Sequence, residues 1–170
     1  MASKKKNLSS FEGASVTDAG EMRIGIVTAA WNKEVTGSLL RGAIKTLEAE
    51  GVDRKDILLY EVPGSFELPQ GASFLIESLQ PDAVICLGCV IQGETRHFEF
   101  ISHSVADGCM NLSLKTNIPV IFGVLTTDNH EQAIQRAGGI HGNKGDEAAY
   151  TAIQMVNMKR MLKKKKGQPS

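Results

Sequence analysis

The chain has 170 residues, 42% hydrophobic and 22% charged, with Lys+Arg and Asp+Glu balanced at 19 each. That make-up suits one domain with a sizeable core, and a formal net charge of zero excludes the positive excess on which phosphate-backbone binding of nucleic acid depends. No stretch approaches the ~18 continuous apolar residues of a membrane span, the N-terminal lysines lead into no apolar signal core, and three cysteines suit the reducing cytoplasm better than a disulfide framework.

Residues 1–21, rich in Ser, Lys, Gly and Ala and without periodicity, read as an N-terminal arm. Met22 to Thr28 reads as a strand, and Leu39, Leu40, Ala43, Ile44 and Leu47 then repeat at helical spacing until Gly51 closes the helix. Ile57 to Val62 is a second strand stopped by Pro63-Gly64, and a helix follows from about Glu67–Pro69 to Leu79. Strand three is Ala83 to Ile91, and the next helix carries Phe98, Ile101, Val105, Cys109 and Leu112 on one stripe. Pro119 to Leu125 is strand four. Helices around Glu131–Ala137 and from about Asp146 to Leu162 complete the series, joined by the glycine-rich linker Gly138 to Gly145. Residues 22–162 form a single α/β domain on this reading, and 163–170 a basic tail whose lysines, like Lys4 to Lys6, are solvated. Continuous apolar strands alternating with amphipathic helices imply a parallel sheet covered on both faces. Right-handed crossovers make it a flavodoxin-like, three-layer α/β/α sandwich with four strands.

Ligands of such sheets bind outside the carboxyl ends of the strands, so the four loops there can be read together. After strand one stands Trp31, the only tryptophan, either a packed ring or a stacking platform for a flat heterocycle, followed by Asn32. After strand two, Pro63 and Pro69 stiffen a loop that presents Phe66 and Glu67. Glu67 is a helix-start cap or an acceptor for the hydroxyls of a polyol. After strand three, Gly93-Glu94-Thr95 opens a helix whose free N–H groups can hold a phosphate. Thr95 caps that helix, binds the anion, or does both. His97, in the first turn, is positioned to move protons near neutral pH. Farther on, Arg136 and Lys144 flank the glycine-rich linker, and arginine is the better grip for phosphate oxygens.

Other chemistries lack their residues. Cys86-Leu87-Gly88-Cys89 lies inside a strand, with no second pair for zinc and no redox-type helix start. The four histidines have no ligand-like spacing, and no dinucleotide or nucleoside-triphosphate fingerprint occurs.

Trp31-Asn32, Pro63 to Pro69, Gly88 to Phe98, Ile121 to Thr127, Glu131 to Gly138 and Gly142 to Gly145 together resemble the 6,7-dimethyl-8-ribityllumazine synthase family over about residues 22–160. The resemblance implies the penultimate step of riboflavin synthesis. There, 5-amino-6-(D-ribitylamino)uracil condenses with 3,4-dihydroxy-2-butanone 4-phosphate, releasing phosphate and water, without metal or organic cofactor. It implies that Trp31 and the Ser65-Phe66 loop contact the uracil ring, and that Asn32 and Glu67 hold the ribityl chain. Cys89, Val90 and Ile91 meet the ring through their backbone. Glu94, Thr95 and Arg136 bind phosphate, His97 shuttles protons, Lys144 lies near the site, and Phe122 comes from a neighbouring subunit. It further implies a pentamer and, from the short linker, a shell of 60 subunits, with the arm bracing a neighbour and riboflavin synthase as a further partner. Trp31 departs from the usual phenylalanine, and Cys89 and Glu94 stand where small residues are common. The alternative is a shell-forming or ligand-binding member of the fold that has lost catalysis.

Overall fold

Four parallel strands lie in the order β2-β1-β3-β4 in the computed structural model, which describes residues 19–166. They are β1 (Ile24–Ala29), β2 (Ile57–Val62), β3 (Ala83–Ile91) and β4 (Val120–Thr127). The helices are α1 (Lys33–Ala49), α2 (Leu68–Leu79), α3 (His97–Thr116), α4 (His130–Arg136) and α5 (Lys144–Lys166). All six residues of β1 are buried, because its strand neighbours close both edges and helices close both faces. The expected three-layer α/β/α sandwich is the fold found.

Side chains alternate across a strand, and the core accordingly divides in two. Ile24, Ile26, Ile85, Leu87 and Leu125 meet α1, α4 and α5 through Val35, Leu39, Ala133, Ala149 and Ile153. Val27, Ala29, Val84, Cys86 and Val124 meet α2 and α3 through Leu68, Leu75, Val105 and Cys109. Each fully buried Leu, Ile or Val contributes on the order of 1.5–3 kcal/mol relative to exposure.

Several boundaries differ from the sequence reading. β4 continues to Thr127 because Thr126 and Thr127 pair with Val90 and Ile91. The Gly138–Gly145 linker is no open loop. Ala137–Gly139 (β5) pairs antiparallel with Gly142–Asn143 (β6), with Gly138 and Gly142 at positive φ. α5 begins at Lys144 rather than Asp146 and runs on through Lys166, so Lys163 to Lys166, expected in a solvated tail, continue the helix. The sequence pattern ended at Leu162 because a lysine run carries no apolar period. Most of the expected arm, residues 1–18, and residues 167–170 lie outside the described residues.

The start of α5 is fixed by close approach to α1. A Cβ on Gly145 would collide with the Leu39 carbonyl, and one on Gly42 would strike the side chains of Asn143 and Asp146. Asn143 Nδ2 donates to the Ser38 carbonyl at 2.9 Å, tying the ribbon to α1 as well. Backbone cannot yield as a side-chain tip can, so Gly145→Ala should cost at least about 2–3 kcal/mol. Urea unfolding at fixed protein concentration checks this. An unchanged midpoint would mean that the two helices are free to separate.

Candidate active site

The loops after β1 and β2 are built as a unit. Past the last paired residues, the Ala30 N–H donates to the Val62 carbonyl at 2.8 Å and the Trp31 N–H to the Pro63 carbonyl at 3.1 Å. Trp31, 67% exposed, lays its ring on Gly64, where a Cβ would stand 2.7 Å from the ring. Of the two readings of Trp31, the packed core ring is therefore set aside, and a largely bare indole over a glycine is what the fold presents. Asn32 adopts a left-handed conformation (φ 58°, ψ 45°) just before α1. There its Nδ2 donates to the Cys89 carbonyl at 3.0 Å, joining the ends of β1 and β3.

Glu67 closes its own turn, with its Oε2 accepting from the Gly64 N–H at 3.0 Å. One carboxylate oxygen thus has the capping role. Ser65 is buried, its Oγ against Gly88 where a Cβ would come within 2.6 Å, and Phe66 is 55% exposed. Gly64 was read only as a strand stop and Gly88 only as part of the Gly88 to Phe98 motif, yet their missing side chains seat Trp31 and Ser65. Cys89 is buried, and burial pushes its thiol up to about 11, which keeps it protonated and non-nucleophilic at neutral pH. Val90 and Ile91 are half-buried as β3 emerges from the core.

Beyond β3 the chain stays exposed from Gln92 through His97. Gln92, another residue that the sequence reading passed over, braces this loop by donating from Nε2 to the Gly93 carbonyl at 2.7 Å. Thr95 Oγ1 accepts from the His97 N–H at 3.4 Å, a local turn two residues long, but the expected cap is not formed: the N-cap residue of α3 is Arg96, without a side-chain cap. Glu94 is exposed on the same bend, and His97 is the exposed first residue of α3.

Phe122, Arg136 and Lys144 lie elsewhere. Phe122 pairs in register with Cys86, two residues short of Gly88 on the same strand and on the outer strand of the sheet. It is therefore about 6–7 Å back along the strands and about 10 Å across from the end of β1. Phe122, 42% exposed, lines a groove of about 680 Å³ along the β4 edge, together with Thr126, Arg136, Lys144 and Glu147. Arg136 Nη1 donates to the Gln132 carbonyl at 3.0 Å. Lys144 Nζ meets both carboxylate oxygens of Glu147 at 2.7 Å. Arg136 belongs to the α1 side of the sheet and His97 to the α3 side. Glu147 was missed in the sequence, although its place three residues after Lys144 is the spacing of a helical ion pair.

Residues 21–160 match the family model for 6,7-dimethyl-8-ribityllumazine synthase. A 6,7-dimethyl-8-ribityllumazine synthase of Cytophaga hutchinsonii is 54% identical over 156 residues, covering 92% of this chain and 98% of the relative. That of Parabacteroides distasonis is also 54% identical, over 157 residues and the same shares of the two chains. That of Phocaeicola vulgatus is 48% identical over 164 residues, or 96% and 98%. With a family model spanning most of the chain and relatives this similar over their whole length, the chain belongs to the 6,7-dimethyl-8-ribityllumazine synthase family.

Proposed function

We propose that this chain condenses 5-amino-6-(D-ribitylamino)uracil with 3,4-dihydroxy-2-butanone 4-phosphate to 6,7-dimethyl-8-ribityllumazine, at a site completed by two subunits. Family membership supports the reaction. The observation that carries the shared site is the division of candidate residues between two surfaces of one chain. Trp31, Asn32, Ser65, Phe66, Glu67 and His97 belong to the strand-end loops, while Phe122, Arg136 and Lys144 belong to the β4 groove. Setting the groove of one copy against the loops of the next brings both sets together.

In that arrangement the uracil ring stacks between Trp31 and the neighbour's Phe122, with Phe66 at its border. The ribityl hydroxyls meet Asn32 and the remaining oxygen of Glu67. Cys89 to Ile91 present backbone groups to the ring, the Cys89 thiol being inert at neutral pH. The phosphate lies between Thr95 at the start of α3 and the neighbour's Arg136, with Lys144 close by and Glu94 turned to solvent. His97 carries the protons as the ring amine adds to the carbonyl, water leaves to form the Schiff base, phosphate departs, and the ribitylamino nitrogen closes the second ring on the remaining carbonyl with loss of a second water. Holding the two substrates in line can supply up to ~7–11 kcal/mol of the barrier reduction, so His97 assists a reaction already driven by proximity.

Head-to-tail contacts of this kind close as a ring. We take the ring to be a pentamer and the assembly to be twelve pentamers in a 60-subunit shell, a reading supported by the short glycine linker folded as the β5–β6 ribbon. The arm of residues 1–21 would brace a neighbour, and riboflavin synthase, which uses the product, is the partner such an assembly would serve. Three unpaired, buried cysteines suit the cytoplasm as its location.

His97→Ala should lower turnover at saturating substrates by about 10²-fold, the low end for a general acid–base group, with assembly intact. Unchanged turnover in a steady-state assay would remove the proton-shuttle role. Arg136→Ala should weaken the butanone phosphate by about 10- to 150-fold and spare the aminouracil, as expected for losing a charge-assisted hydrogen bond. Equal effects on both substrates would count against the phosphate grip. Refolding His97→Ala subunits together with Phe122→Asp subunits should restore part of the activity, since some mixed interfaces then hold one intact site. A fully active monomer in light scattering would refute the shared arrangement.

A further inference from the structure

Among the described residues, the charged side chains that line the groove along β4 are Arg136, Lys144 and Glu147. Two of them neutralise each other. Lys144 Nζ lies 2.7 Å from both Oε1 and Oε2 of Glu147, with the two side chains only 26% and 19% exposed. A lysine at the first position of a helix stands at the positive end of the helix dipole, where an ammonium is disfavoured. Glu147, one turn on, offsets both the dipole and the ammonium. The neighbouring acid cannot serve instead. Asp146 is directed at α1, where a Cβ on Gly42 would strike its Oδ1. Arg136 has no carboxylate partner among the described residues, and one of its donors is satisfied by a backbone carbonyl.

We propose that Glu147 sets the phosphate affinity of this groove by holding Lys144 in a neutral pair, so that Arg136 is its single uncompensated cation. Glu147 touches no substrate in this arrangement; it is a positioning residue acting through Lys144. The consequence is functional. Phosphate enters the site as part of a substrate and must leave as a free ion, and an anion pocket with two bare cations would hold the released ion too well. Pairing one of them keeps the grip specific while leaving release easy. This inference rests on the groove being the phosphate subsite.

The test measures inhibition by inorganic phosphate, in competition with the butanone phosphate, on assembled protein whose size is checked by light scattering. Glu147→Gln keeps the shape and one acceptor for Lys144 but removes the charge. It should lower the inhibition constant by about three- to tenfold, the effect of one added positive charge screened by protein and salt. Lys144→Met leaves Glu147 uncompensated and should raise the constant by a similar factor. The double variant restores neutrality and should return close to the parent value. An architectural role for the pair predicts another pattern, with both single variants weakening phosphate and the double variant no better. That pattern, or no change in Glu147→Gln, overturns the proposal. If Lys144 were itself a direct phosphate ligand, the double variant would stay as weak as Lys144→Met, which also overturns it. Arg136→Ala is the control for the underlying reading. If that variant leaves phosphate inhibition unchanged, the groove is not the phosphate subsite and both inferences fall, whereas a large loss there with a flat Glu147→Gln sinks this one alone.

Discussion

The handedness of strand–helix–strand crossovers governs how this chain makes a site. From β1 the chain steps one way across the sheet to reach β2, and from β3 it steps the other way to reach β4. Both crossovers being right-handed, α1 must lie on one face and α3 on the other, and the two halves of the core divide in just that way. The loops after β1 and β3 consequently part at their shared edge, and the gap between them is the crevice where open α/β sheets bind ligands. The Asn32 side chain reaching the Cys89 carbonyl spans that gap at its floor. Trp31 and His97 leave from its two walls. Neither could be brought there by a sheet with its strands in sequential order.

What was legible beforehand follows from how much of each signal is local. β2 and β3 were bounded correctly because a run of apolar residues between turn formers needs no tertiary information. β4 was read two residues short, since Thr126 and Thr127 look like the start of a turn and become strand only by pairing with Val90 and Ile91. The β5–β6 ribbon was invisible for a similar reason. Glycines at positive φ read as loop, and the antiparallel pairing of Ala137 with Asn143 depends on contacts with α1 that lie some hundred residues away in the chain. Strand-end positions gave Trp31, Phe66 and His97 directly. They did not give Gly64 or Gly88, whose importance lies in what a missing Cβ lets approach.

Arg136 and Lys144 illustrate a different limit. Both were picked out as cations near the end of the domain, but residue type says nothing about the face on which a helix will rest. α4 packs on β3 and β4 on the α1 side of the sheet, so Arg136 opens onto the groove that holds Phe122 rather than toward Thr95 and His97. The family resemblance assigned only Phe122 to a neighbouring subunit. The fold puts Arg136, proposed to grip phosphate, on the same surface as Phe122, so that in the proposed assembly the neighbour supplies both an aromatic wall and that cation.

The proposed link between catalysis and assembly would also account for apolar area that a lone subunit leaves bare. Trp31 and Phe66 are exposed on the strand-end loops, while Met110, Leu114, Phe122 and Met155 are exposed along the β4 groove and its margins. Contiguous apolar patches are uncommon on proteins that work as monomers. Here the two sets sit on different sides of the chain, which suits a head-to-tail contact better than a two-fold one, where a single patch would meet itself. If the contact formed only through greasy side chains, it would have little to fix its register. The charged lining supplies that. In the proposed assembly, an arginine without a carboxylate partner in a partly apolar groove is costly until an anion or the polar start of α3 faces it, so a bound phosphate and the neighbour's helix end would become part of what aligns one subunit on the next.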